Sequence, residues 1–295
     1  MMSYRYSFSR KVFVVFNYCL LTFLSLLCLA PLVHILAISF SSSSAAASGT
    51  VTFWPKSFTT AAYENVFGKP EYLRAFLVTL QRVALGTSLQ LLLIVLTAYP
   101  LSRDNRVFKM RTVYVWFFLI TILFSGGLIP TYMTVRMTGL MDTIWALVIP
   151  GAVPVFSIVL MLNFFRNLPK EIEESARIDG AGHLDVLWRI YVPLSTASIA
   201  TVTLFSIVGH WNAWLDGLIY MKHPKHYPLQ TFLQTIIIEQ DPRYLTAEEA
   251  EKMALISNRT SRAAQIFVAA LPILLVYPFL QRYFIHGIVL GSVKE

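Results

Sequence analysis

The stretch VFVVFNYCLLTFLSLLCLAPLVHILAI, residues 12–38, decides the fold class of this 295-residue chain. It contains no Asp, Glu, Lys or Arg, and it exceeds the about 20 apolar residues that a helix needs to cross a bilayer. A signal peptide is the alternative, because Arg5, Arg10 and Lys11 precede the stretch. The apolar region of a signal peptide is only about 7–15 residues long, however. We therefore predict a retained transmembrane helix.

The whole composition agrees with a membrane protein. Hydrophobic residues make up 56% of the chain and charged residues 14%, against about 25% charged in soluble domains. This excludes a disordered chain, a coiled coil and a disulfide scaffold, and it disfavours a soluble enzyme. The two cysteines, Cys19 and Cys28, lie in the same apolar stretch. The net charge of +8 comes from Lys and Arg clustered between apolar runs, which indicates membrane topology and a lipid environment, with no nucleic-acid partner.

Five further apolar runs follow the first. We predict one all-α integral membrane domain, residues 1–295, with six transmembrane helices, called spans one to six. Their approximate bounds are 12–38, 78–101, 112–135, 143–165, 194–220 and 263–287. Arg82 falls near one end of span two, so its side chain is expected to extend to the membrane interface. Ser125-Gly-Gly-Leu-Ile-Pro130 is expected to break span three.

The distribution of Lys and Arg predicts the orientation. Basic residues are dense at the N-terminus, in residues 103–111 and in residues 166–189, which indicates the cytoplasmic side. Both termini are then cytoplasmic, and segments 39–77 and 221–262 are external. Segment 221–262 is also basic and argues the other way, but an even number of spans places it outside.

The cytoplasmic segment between spans four and five has its own pattern, NLPKEIEESARIDGAGHLDVLWRIYVP at residues 167–193. We call these residues the elbow. Asn167 is a candidate N-cap with Pro169 in the first turn, and Gly180 is suited to end the helix in a left-handed conformation. A second short helix is expected at about 183–191, before Pro193. The alternative is an ordinary amphipathic loop that rests on the membrane.

The spacing within the elbow carries a family resemblance. Glu174-Ser-Ala-x-x-Asp179-Gly180-Ala, closed by Ile190-x-x-Pro193, resembles the "EAA" loop of ABC-importer permeases. Outside the elbow, the chain is similar to this family at Ala98-Tyr99-x-Leu-Ser-Arg103, Trp211-Asn-Ala-Trp and Tyr277-Pro-Phe-Leu-Gln-Arg-Tyr-Phe284. The type it resembles is the six-helix, maltose-type permease of the carbohydrate uptake transporter-1 family, in the polysaccharide/aldouronate branch.

This resemblance implies a function and a set of partners. It implies import of oligosaccharides, acidic ones among them, across the bacterial inner (plasma) membrane. The partners would be a second permease subunit, a dimer of ATP-binding subunits and an extracellular solute-binding protein. The elbow would dock on the ATP-binding subunit through Glu174, Ala176, Asp179, Gly180, Ala181, Leu184, Leu187 and Pro193.

The motifs that would give the chain its own chemistry are missing from the sequence. It has no Gly-x-x-x-x-Gly-Lys-Ser/Thr, so ATP and Mg²⁺ are expected in the partner ATPase and no cofactor in this chain. We therefore predict that it is not an enzyme. His223 and His226 flank Pro224 and suggest a metal site, but no other ligand is close in the sequence, which favours a solvated external turn.

Span five offers the candidate solute path. A sugar ring presents apolar C–H faces and hydroxyl groups, so aromatic, amide and carboxylate side chains suit it. Trp211, Asn212, Trp214 and Asp216 supply these groups, and Asn212 and Asp216, four residues apart, are expected to share a helical face. The alternative is an interfacial aromatic belt with a polar contact between helices.

Two other functions compete with an ATP-driven importer. An ion-coupled secondary transporter would need buried acidic residues and usually an internal repeat, and neither is evident in the sequence. An integral-membrane enzyme would need convergent nucleophilic, acidic or metal-binding side chains, which the few ionisable residues within the spans do not supply.

Overall fold

A computed structural model describes residues 8–239 and 258–292, in which every regular element is a helix. The first eight are α1 Phe8–Ser39, α2 Ser43–Ala47, α3 Ala61–Phe67, α4 Pro70–Ser102, α5 Arg111–Leu123, α6 Leu128–Met137, α7 Ile144–Val148 and α8 Val155–Arg166. The next six are α9 Lys170–Ile178, α10 His183–Leu194, α11 Thr196–Asn212, α12 Leu215–Tyr220, α13 Leu229–Glu239 and α14 Asn258–Ser292. The prediction of an all-α fold is confirmed for these residues.

Three single helices are long and apolar enough to cross a membrane: α1, α4 and the Arg259–Phe279 part of α14. Two pairs of helices reach the same length and apolarity only when taken together across a sharp bend. The number of six spans therefore stays a prediction. In the most apolar part of α1, no residue is buried. This is expected of a helix that is surrounded by lipid or by another membrane subunit.

Breaks interrupt the predicted spans three and five. In span three, α5 and α6 are bent by 115° at residues 124–127, where Gly127 has a φ of 84°. Only a residue without Cβ adopts this φ freely, so the expected break at the glycine pair is confirmed. At the start of span five, α10 and α11 are bent by 82°, and within the span α11 ends at Asn212 before α12 begins at Leu215.

Span two is longer than predicted. α4 begins at Pro70 and not near residue 78, because proline suits the first helical turn and Glu71 lies near the positive end of the helix dipole. Charged residues in this first part made it resemble a loop in the sequence, but Tyr72 and Ala75 are buried. The helix therefore continues beyond the apolar run.

The described residues group into two compact units. The first consists of residues 8–70, 239 and 258–271, in which Ala37, Ile38, Ala46, Val51 and Ala263 form a small apolar cluster. In the second unit, residues 71–238 and 272–292, a larger core joins the end of α4 to α8, α10 and α11. The single permease domain stays a prediction. The larger core includes Val186, Leu187 and Tyr191, so it supports the elbow.

Candidate functional site

Gly180 ends α9 in the conformation that the sequence predicts. Its φ is +86°, its N–H donates to Arg177 O over 3.1 Å, and the N–H of Ala181 donates to Ala176 O over 2.9 Å. These two bonds form a Schellman motif, in which a left-handed residue just after the helix turns the chain away from the helix axis. The helix–Gly–helix geometry of the elbow is thus present in the structure.

The start of α9 differs from the prediction. Asn167 was expected to cap this helix, but it is instead the C-cap residue of α8, and its N–H donates to Phe164 O over 3.0 Å. Pro169 is the residue that precedes the first turn of α9. The correction has a simple cause: α8 continues to Arg166, so Asn167 is needed to complete the preceding helix.

Glu173 is the centre of an ion-pair network that the sequence analysis did not single out. Its carboxylate accepts hydrogen bonds from Arg103, from Arg177 Nε over 3.0 Å and from Tyr191 Oη over 2.8 Å. The Arg103 guanidinium also lies 4.3 Å from the ring centroid of Tyr99 and 4.5 Å from that of Tyr191. The network thereby ties α9 and α10 to the end of α4.

The surroundings of Glu173 keep its carboxyl group ionised. Burial by itself would raise its pKa, but the hydrogen bonds from Tyr191 and Arg103 and the charge of Arg103 outweigh burial, so the pKa is lowered. The network is largely shielded from water, since the side chains of Arg103 and Glu173 are 8% and 13% exposed. A buried pair of this kind fixes relative orientation, because neither charge is tolerated there alone.

The elbow has a buried side and an exposed side. Leu187, which was predicted to contact a partner, is 2% exposed and belongs to the core, and Ala176 and Ala181 pack partly against the same core. Ile178 and Leu184, in contrast, are 86% and 67% exposed. The remaining predicted residues, Glu174, Asp179 and Pro193, are also exposed. The exposed apolar side chains thus project from a bend whose other side packs on the core.

The structure corrects the prediction for Arg82. This side chain was expected to reach the membrane interface, but it is only 3% exposed. Its Nη1 donates to Asp216 Oδ1 over 3.1 Å and to Ala213 O over 3.2 Å, and its Nη2 pairs with the other Asp216 oxygen. Because α4 begins at Pro70, Arg82 lies about three turns inside the helix. A charge buried there requires a paired partner.

The four residues of the predicted solute path occupy different environments. Trp211 is 3% exposed and packs edge-on against Phe76, with ring centroids 5.9 Å apart. Asn212 is exposed at the end of α11, and Trp214 is 37% exposed at the break. Asp216 follows in α12, so it does not share a continuous helical face with Asn212. The assignment of these residues to a solute path stays a prediction.

The two histidines at the predicted external turn contact an acidic residue from another loop. His226 Nδ1 lies 2.9 Å from Asp142 Oδ1, and His223 Nε2 lies 3.8 Å from Asp142 Oδ2. Burial alone would raise the pKa of Asp142, but the hydrogen bonds from His226 and from the Lys222 N–H lower it to about 2. Among the residues that the structure describes, no group of three or more His, Cys, Asp or Glu is arranged to hold a metal ion.

The sequence resembles known proteins over almost its whole length. Residues 1–289 match the family described as binding-protein-dependent transport system inner membrane component. Protein LplC of Bacillus subtilis (strain 168) is 40% identical over 286 residues, which are 96% of this chain and 95% of LplC. The polygalacturonan/rhamnogalacturonan transport system permease protein YtcP of the same organism is 35% identical over 285 residues, 97% of this chain and 99% of YtcP.

The fold is also similar to a solved structure. That structure is the crystal structure of a bacterial ABC transporter involved in the import of the acidic polysaccharide alginate. The TM-score is 0.85 at 30% sequence identity, and the match covers 96% of this chain and 100% of the other.

Proposed function

Since this chain belongs to the family of binding-protein-dependent transport system inner membrane components, we propose that it is the transmembrane subunit of an ATP-driven importer of oligosaccharides. The family makes it a multi-pass membrane permease subunit, and a transport system of this kind implies partner subunits. The names of two similar proteins refer to polygalacturonan, rhamnogalacturonan and alginate. These names support a cargo of acidic oligosaccharides.

The exposed side of the elbow is the observation that supports docking of this chain on the ATP-binding subunit. Ile178 and Leu184 are apolar side chains on a bend that the Glu173 network and the core hold in place. Exposed apolar side chains on a rigid support are typical of a docking surface. In our proposal the ATP-binding subunit receives this surface, with Glu174 beside it, and closure of the ATPase dimer moves α10 and α11.

The remaining partners follow from the same proposal. ATP and Mg²⁺ bind to the ATPase dimer, and this chain performs no hydrolysis. A second permease subunit completes the membrane pathway in the bacterial plasma membrane, with both termini of this chain in the cytoplasm. An extracellular binding protein delivers the oligosaccharide to segments 39–77 and 221–262. Of the second segment, residues 240–257 lie outside the described residues.

A substitution on the exposed side of the elbow tests the proposal. Leu184→Asp places a charge on the docking surface, while Leu184→Met keeps an apolar side chain of similar size. We expect the tagged Asp variant to reach the membrane but to lose its co-purifying ATPase and oligosaccharide uptake, because the buried contact would require desolvation of a carboxylate. The Met variant should retain both. Full ATPase association in the Asp variant would contradict the coupling role.

A further inference from the structure

The second compact unit contains a cavity of about 470 Å³. Its wall is formed by residues of α4, α7, α8, α11 and α12 and by the residues between α7 and α8. It brings together Gln90, Ser206 and Asp216 with the apolar groups of Pro150 and Phe205. Ligand pockets in proteins commonly measure about 300–1,000 Å³ and combine apolar walls with a few convergent polar groups. The cavity has the size and the lining of a small-molecule site.

The polar side of the cavity is held in a fixed arrangement. Gln90 Nε2 donates to Gly151 O over 2.7 Å, and Gln90 Oε1 accepts from Ser206 Oγ over 2.6 Å. Asp216 is 27% exposed, whereas its partner Arg82 is 3% exposed. The side chain of Asp216 is thus partly accessible, while that of Arg82, which orients it, is buried.

Asp216 retains capacity for one more hydrogen bond. A carboxylate offers about four acceptor positions. Two are used by Arg82 Nη1 and Nη2, and a third by the N–H of Gly217, which lies 2.9 Å from Oδ1. A hydroxyl group is a suitable donor for the remaining position. Phe205, which is 46% exposed, is the aromatic residue beside these polar groups in the cavity lining.

We propose that this cavity is a saccharide subsite of the permease subunit, in which Asp216 accepts a sugar hydroxyl and the ring of Phe205 stacks against a sugar face. Arg82 positions Asp216 and neutralises its charge, so an acidic sugar is not repelled. The inference rests on the proposed oligosaccharide cargo. It places the sugar contacts in the cavity and leaves the buried Trp211 as a packing residue.

The first test compares two phenylalanines. Phe205→Leu removes the aromatic ring from the cavity lining. Phe156→Leu is the matched control, because the Phe156 ring does not line the cavity. Its centroid lies 6.4 Å from that of Phe205, and Phe156 is 66% exposed. Uptake of radiolabelled trigalacturonate and maltotriose is measured in cells with the full transport system and normalised to assembled complex. We expect Phe205→Leu to reduce uptake at low sugar concentration by about fivefold to tenfold, as loss of one stacked ring predicts. Phe156→Leu should match wild type, and equal uptake in the two variants would overturn the subsite.

The second test separates sugar binding from the structural role of the ion pair. Asp216→Asn should reduce uptake of a sugar that is imported, because the amide is a weaker acceptor than the carboxylate. Arg82→Met combined with Asp216→Leu removes both charges, and such paired replacements often leave stability unchanged. We expect the double variant to assemble but to import poorly. Wild-type uptake per complex in the double variant, or faster trigalacturonate uptake in Asp216→Asn, would refute the proposed hydroxyl contact. If the double variant does not assemble, the comparison of Phe205→Leu with Phe156→Leu decides whether the cavity is a saccharide subsite.

The wild-type measurement distinguishes the two levels of the proposal. If the wild-type system imports neither sugar, the proposed cargo is wrong and the subsite is rejected with it. If the wild type imports a sugar and the cavity variants import it equally well, only the subsite is wrong.

Discussion

Glu173 and Glu174 are neighbours in the sequence but have different surroundings in the folded chain. The side chain of Glu173 is 13% exposed and accepts hydrogen bonds from three other side chains, whereas Glu174 is exposed. Successive residues of a helix point about 100° apart, so a single step moves a carboxylate from the supported side of α9 to its exposed side. One glutamate therefore has a structural role, and in our proposal the other contacts a partner.

Substitution of each glutamate should separate these roles. Glu173→Gln leaves the buried Arg103 charge without its partner, and we expect it to destabilise this region by about 2 to 3 kcal/mol. The purified complex should show a lower Tm. Glu174→Gln, the matched control, should leave Tm unchanged and weaken co-purification of the ATPase. An unchanged Tm in Glu173→Gln would show that the network is not needed for stability.

The contribution of Glu173 to stability should depend on pH, and a comparison of wild type with Glu173→Gln tests this. Because the folded-state pKa of Glu173 is lowered, its stabilising contribution is fully present above the ordinary pKa of 4.5 and is lost as the pH falls through the lower folded-state value. The Tm difference between wild type and Glu173→Gln should therefore be constant above this pH and decrease below it.

At the scale of the element, Gly180 determines how α9 ends and where α10 begins. Its φ is +86°, and an added Cβ would meet no atom within 4 Å. The penalty of a side chain here is therefore conformational and not a collision. Gly182, two residues later, has a φ of −74°, which any residue adopts. The backbone conformation at position 180 thus favours glycine, whereas the conformation at position 182 suits other residues as well.

Replacement of these glycines should show which of them the elbow requires. Gly180→Val forces a β-branched residue into a left-handed conformation, which costs about 1–2 kcal/mol, and the bend is expected to rearrange. We expect normal membrane levels with reduced ATPase co-purification and reduced uptake. Gly182→Ala should behave as wild type. Equal ATPase association in the two variants would mean that the left-handed bend is not required for docking.

At the scale of the whole molecule, the orientation in the membrane is the prediction that most affects function. The predicted topology places three spans between Asn105 and Lys225, so the two residues should lie on opposite sides. In a protein lacking Cys19 and Cys28, Asn105→Cys should react with an impermeant thiol reagent only from the cytoplasm, and Lys225→Cys only from outside. Both positions are exposed in this chain, so neither cysteine would be hidden by the fold of the chain itself. Labelling of both positions from the same side would show that the number of spans is wrong.

The sequence alone was sufficient for the features that depend on local chemistry. The apolar stretch at residues 12–38 predicted a helix, the glycine pair at 126–127 predicted a break, and Gly180 predicted a left-handed helix end. Each follows from the length of an apolar run or from the conformational freedom of one residue type. Family membership was accessible for a related reason, since the elbow motif is continuous in the sequence.

The tertiary structure decided the contacts between distant residues. Arg82 and Asp216 are 134 residues apart, and Arg103 and Glu173 are 70 apart, so neither pairing is encoded in the periodicity of a single helix. The sequence determined that the chain is a helical membrane protein with a glycine-centred elbow, because lipid and backbone sterics act on each segment separately. Only packing decided that Arg82 lies buried beside a cavity and that Glu173 is the glutamate that holds the elbow, because side-chain pairing depends on how bent and broken helices meet.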